Sequence, residues 1–142
     1  MKEIELPHTT KTNAKLIVCQ ENKSHITFIN KSESWYYFTK VDGGVYNTIT
    51  IKKCDYKLEH CETHVKYFVE LKGENIKDAV PQLQSAINLL AKSETGNYAF
   101  IVFSNKSPNS ATENQKIIKK FFIDNRVRLY IVRTGYKHNF DA

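Results

Sequence analysis

The stretch Tyr67-Phe68-Val69-Glu70-Leu71-Lys72-Gly73-Glu74 sets the frame for the whole chain. Apolar residues of strand-forming type run up to a carboxylate and an ammonium two positions apart. Side chains alternate across a strand, so Glu70 and Lys72 share a face with Phe68, while Tyr67, Val69 and Leu71 take the other. Opposite charges on a strand otherwise built for burial are costly unless they pair or bind something. Functional sites carry such costs, so this strand end is the first place to look for one.

Working upstream, Thr48 to Leu58 alternates enough to be a strand, interrupted by Asp55 beside Cys54. Glu59 to His64 is a polar turn, so this strand and Val65 to Lys72 are expected to form an antiparallel hairpin. Further back, Lys15–Cys19 and His25–Ile29 read as strands around a turn at 20–24. Ser32 is positioned to cap a short helix through Phe38, although Trp35 to Thr39 is equally aromatic enough for a strand. Asp42-Gly43-Gly44 suggests a hairpin or bulge. Residues 1–14 read as a loose arm or a short edge segment.

Downstream, a helix is expected from Asp78, which would place Pro81 in the first turn, where no amide bond is lost. Ala79, Leu83, Ala86, Ile87 and Leu90 form its apolar face, with Gly96 as the stop. Tyr98 to Phe103 is a continuous apolar run and reads as a central buried strand. Ser110-Ala111-Thr112-Glu113 fits a capping box. The helix after it would turn Ile117, Ile118, Phe121 and Phe122 inward and leave Lys116, Lys119 and Lys120 nearer solvent. Val127 to Val132 reads as the last strand, and 135–142 as a loose tail.

Strand-helix-strand connections require parallel neighbours. The expected fold class is therefore α/β: a mixed β-sheet, antiparallel hairpins first and parallel strands after, flanked by helices. The 142 residues fit a single domain. The charged pair would lie near the end of a central strand, where α/β sheets place sites.

The net charge of +6 leans toward a polyanionic partner, although solvated lysines alone account for such a value. No apolar run has membrane-spanning length and no leader-type segment is present, so a cytoplasmic location is expected. Three irregularly spaced cysteines, Cys19, Cys54 and Cys61, point to reduced thiols.

The hairpin pairing would bring Asp55 near Glu70. Two neighbouring carboxylates hold protons unless a cation sits between them. Oxygen ligands suit a hard ion such as Mg2+ or Mn2+, and Lys72 beside it could steer a water or neutralise charge on a reacting phosphate. Cys54, His60, Cys61 and His64 lack the paired spacing of a zinc site. No phosphate-cradling glycine loop or Ser/His/Asp arrangement is present.

Asp55, fourteen intervening residues, then Glu70-Leu71-Lys72 resembles the PD-(D/E)XK nuclease superfamily, particularly its small stand-alone bacterial members. The resemblance spans roughly residues 25 to 135. It implies a restriction-endonuclease-like αβββαβ core, with Mg2+ (or Mn2+) held by Asp55, Glu70 and the carbonyl of Leu71, and Lys72 near the attacking water. Gln82 matches a glutamine that lines the site in some branches. Cys54 stands where the family has proline, Ala86 where tyrosine is frequent, and Glu33 is the one nearby candidate for an acidic residue from the first helix. The implied activity is metal-dependent hydrolysis of nucleic acid, with DNA the expected substrate. Targeting would come from homodimerisation or a partner protein. Lys53, Lys57, Lys77, Lys106 and Arg126 are candidate phosphate contacts. The alternative is a catalytically silent nuclease-like module that binds nucleic acid or a partner.

Overall fold

The computed structural model describes residues 9–21, 24–41, 54–72, 76–104 and 110–140. Nine strands and two helices follow in the order β1 (Thr9–Thr12), β2 (Leu16–Glu21), β3 (Ser24–Ile29), β4 (Tyr36–Lys40), β5 (Tyr56–His60), β6 (Lys66–Lys72), α1 (Ile76–Leu90), β7 (Asn97–Phe103), α2 (Ala111–Asn125), β8 (Val127–Arg133) and β9 (Lys137–Asn139).

Six strands form one mixed sheet in the order β1-β4-β5-β6-β7-β8. The pairs from β1 to β6 are antiparallel, and the pairs β6–β7 and β7–β8 are parallel. The mixed α/β class is therefore as expected. A parallel neighbour needs a long crossover, and α1 and α2 supply the two that β7 and β8 require.

The large sheet is covered differently on its two faces. Phe68, Ala99, Ile101 and Leu129 pack with Ala79, Leu83, Ala86 and Ile87 of α1 and Phe121 of α2. Tyr67, Val69, Phe100 and Val102, on the opposite face, pack with Ile17, Cys19, Ile26 and Phe28. These last four belong to a second sheet, β2-β3-β9. β6 and β7 are thus buried on both faces, which explains why Tyr98 to Phe103 reads as an unbroken apolar run.

Within the tail expected to be loose, residues 135–140 are structured. Lys137–Asn139 pairs in parallel with β3, and Phe140 stacks on Phe28 and Tyr36 with ring centroids 5.1 and 4.3 Å apart. Its polar composition concealed one aromatic anchor, which a three-residue strand is enough to deliver. At the other end, β1 is the edge segment of the large sheet, paired with β4.

Other expectations need correction. Of the two readings of Trp35 to Thr39 the strand holds and the helix does not, because Tyr36–Lys40 is held between β1 and β5. No helix precedes β5 among the described residues, so they do not reproduce the αβββαβ order. The Asp42 turn, residues 48–53 and the loop at 105–109 lie outside the described residues. α1 begins at Ile76, two residues early, and Pro81 consequently falls inside the helix. Phe122 is 45% exposed rather than inward. β8 is followed by β9 and is not the last strand.

The Ser110 half of the expected capping box is present: Ser110 Oγ accepts a hydrogen bond from the Glu113 amide at 3.1 Å. α2 ends with Arg126 in the left-handed region at φ 57°, its N–H donating to the Phe122 carbonyl. The cation answers the negative end of the helix dipole there.

Candidate functional site

β5 and β6 are in antiparallel register from Tyr56–Val69 to Glu59–Lys66, and Asp55 lies one residue before that register begins, close enough to Glu70 to feel its charge. The strand bends at Asp55. Its amide donates to the Val69 carbonyl at 3.0 Å, and its carbonyl accepts from the Val41 amide at 2.9 Å. Its side chain then takes over from the ladder: Oδ2 accepts the Leu71 N–H at 2.7 Å. A ladder amide lies in the plane of the sheet, so this bond holds the carboxyl at the strand end, between the two faces.

Glu70, by alternation, shares the helix-side face of Phe68 and is only 2% exposed; Asp55 is 7% exposed. Burial pushes the Asp55 carboxyl from its ordinary 3.8 up to about 9. The charge of Glu70 is the next cause, followed by a hydrogen bond and charge from Glu21, while the Leu71 amide pulls the other way. Burial first, then Glu70 and Asp55, also raises the Cys54 thiol. Free carboxylates do not gather in apolar surroundings without such a cost.

Glu21 is the member that sequence reasoning missed. It ends β2, in phase with the buried Ile17 and Cys19, so it faces the large sheet. The Tyr56 hydroxyl donates to the Gln20 carbonyl at 2.8 Å and fastens this strand end to the start of β5. The alternation Ile17, Cys19, Glu21 was a legible signal, but it said nothing of which strand Glu21 would meet.

The other expected residues divide. Leu71 contributes its amide to Asp55 and lies beside Val102 of β7. The backbone of Lys72 closes β6, across from Phe103. Gln82 is half-buried on α1, and its Oε1 is buried with no hydrogen-bond partner among the described residues. Glu33 is not part of the site: it is exposed in the turn before β4, beyond the end where Tyr36 meets His60, whereas Asp55 lies past the other end.

Of the proposed phosphate contacts, Lys77 and Arg126 are exposed. Lys57 is corrected: it is 6% exposed and bonded to Glu59 at 3.2 Å. Alternation turns it toward the sheet's helix-side face, and Glu59 continues the network to His64 at 3.0 Å and Lys66 at 3.9 Å. Lys53 and Lys106 lie outside the described residues.

The donor set suits a hard divalent cation. The carboxyls of Asp55 and Glu70 are buried and close enough to interact, and Gln82 on α1 carries a buried oxygen without a hydrogen-bond partner among the described residues. Among the described residues, no group of three or more His, Cys, Asp or Glu stands in metal-holding geometry. Mg2+ keeps several waters and needs only one or two protein carboxylates, so a preformed cage is not required of such a site.

Comparison with known proteins yields no match: no family model, curated protein or solved structure is significantly similar to this chain.

Proposed function

We propose that the chain is a Mg2+- or Mn2+-dependent phosphodiesterase that hydrolyses nucleic acid, with DNA as its substrate. The observation that carries this reading is the buried Asp55 carboxyl at the start of β5, bound by the Leu71 amide and close to the buried Glu70. A cation there replaces the protons that the crowded carboxylates otherwise retain.

Asp55 and Glu70 would hold the ion, together with the Leu71 carbonyl. The bond from the Leu71 amide orients the Asp55 carboxyl, and an ion would displace the proton it shares with its acidic neighbours. A bound divalent ion supplies charge neutralisation at the phosphate and a more acidic water. Lys72, two residues beyond Glu70, is assigned to the attacking water, and Gln82 to positioning that water or the phosphate. The resemblance set out above supports these two roles. A cytoplasmic location belongs to the same reading; no helix among the described residues is long and apolar enough to cross a membrane.

The test is a panel of single- and double-stranded DNA and RNA incubated with Mg2+, Mn2+ or EDTA, beside Glu70→Ala. Metal-dependent cleavage lost in the variant supports hydrolysis. Metal binding without cleavage of any substrate would instead favour the silent binding module.

A further inference from the structure

The opposite end of the parallel strands carries a second feature. Asn97 of β7 and Val127 of β8 start side by side, three or more residues back from Ile101, the neighbour of Glu70. At about 3.3 Å per residue this end lies roughly 10 Å or more from the carboxylates along the strands. A shallow groove of about 270 Å³ opens here, with Gly96, Tyr98, Phe122, Arg126 and Arg128 among its lining.

The chemistry of this groove is one-sided. Arg126 and Arg128 are both exposed, and neither has a carboxylate within ion-pair distance among the described residues. No acidic residue lines the groove. The neighbouring groove of about 280 Å³, which shares Arg126, has Glu94 and Asp124 in its lining, but these pair with Lys66 and Lys120 instead.

Two aromatic residues share the groove's lining with these cations. Tyr98 is half-buried and stacks on Tyr67 at 5.1 Å with an interplanar angle of 6°, which holds its ring rigid. Phe122 is 45% exposed although it sits on a helix whose neighbouring Phe121 is buried. Arg126 keeps a left-handed backbone conformation, φ 57°, that glycine adopts without strain. At Gly96, by contrast, φ is +80° and a Cβ would meet nothing within 4 Å, so the groove is open on that side.

We propose that this groove binds single-stranded nucleic acid: Arg126 and Arg128 take backbone phosphates, and an unpaired base stacks on the exposed Phe122. The charge selects a polyanion, and the ring selects one whose bases are free to stack, which a duplex interior does not offer. This goes beyond the hydrolytic reading, because binding here needs neither the carboxylates nor a metal.

The test is fluorescence anisotropy of the full chain in EDTA with labelled oligothymidylate, alone or paired with oligoadenylate. The single strand is expected to bind about tenfold or more tighter than the duplex. Phe122→Ala is expected to weaken single-strand binding about tenfold. Arg126→Gly, which relieves the backbone conformation and so retains the fold, is expected to lower the slope of log K against log salt by about 0.7, as is Arg128→Gln. The proposal is overturned by absence of single-strand binding, by equal binding of the duplex, or by unchanged affinity in the Phe122→Ala, Arg126→Gly double variant. Failure of all cleavage assays would sink the hydrolytic reading and leave this measurement standing.

Discussion

Replacing Asp55 by asparagine should change how stability depends on pH. The Asp55 carboxyl is raised from 3.8 to about 9, by burial first and then by Glu70 and Glu21. The folded state therefore keeps its proton at pH values where the unfolded chain has released it. The folded protein binds more protons, so its stability falls as pH rises from about 4 toward 9. The full slope is about 1.4 kcal/mol per pH unit. Between about pH 5.5 and 7.5 the metal-free protein should lose about 2–3 kcal/mol through this group.

Asparagine has no proton to lose, and its oxygen can still accept the Leu71 N–H. His138, whose ionisation is disfavoured by burial, contributes with the opposite sign, and it does so in both proteins. The difference between the two therefore isolates Asp55. Urea unfolding in EDTA at the two pH values measures it. Wild type should lose stability relative to Asp55→Asn, and Mg2+ should restore wild type alone at the higher pH. With Mg2+ at a hundred times its Kd, that restoration would be about 2.7 kcal/mol. Parallel pH profiles of the two proteins would refute the crowded-carboxylate argument.

Glu70→Gln should abolish metal-dependent cleavage while circular dichroism remains that of wild type, since the substitution preserves volume. Lys72→Ala should abolish turnover and leave Mn2+ binding, followed by calorimetry, within about threefold of wild type; full activity in this variant would reject its assigned role. Phe28→Ala removes the ring that meets Phe100, Tyr67 and Phe140, and should cost about 3–5 kcal/mol in urea unfolding. Ser110→Ala deletes the cap on the Glu113 amide and should cost about 1 kcal/mol in the same measurement.

Local signals proved readable where one element decides its own conformation. The β6 alternation, the α1 apolar face and the Ser110 cap all depend on neighbours within a few residues. That Asp55 would come close to Glu70 was also readable, because a hairpin joins β5 and β6. What stayed hidden depends on distant partners. The aromatic run at 35–39 carries no mark of the β1 and β5 neighbours that make it a strand. Phe122 follows the apolar period of α2, yet it is 45% exposed while the adjacent Phe121 is buried. Lys57 looked available for phosphate until burial and Glu59 claimed it. Glu21 reaches the site through a second sheet that no sequence neighbour of Asp55 announces.

That second sheet has a kinetic consequence. β3 is held to the Thr134–Asn139 segment, as in the bond from the His25 amide to Thr134 Oγ1 across 109 positions. Closing so long a loop is entropically demanding, and contacts of this separation slow folding. β2 rides on β3, so Glu21 should reach Asp55 only after this closure. In refolding, the acidic cluster would then mature after the β5–β6 hairpin, and metal-dependent protection of Leu71 from hydrogen exchange should lag behind protection of Val69.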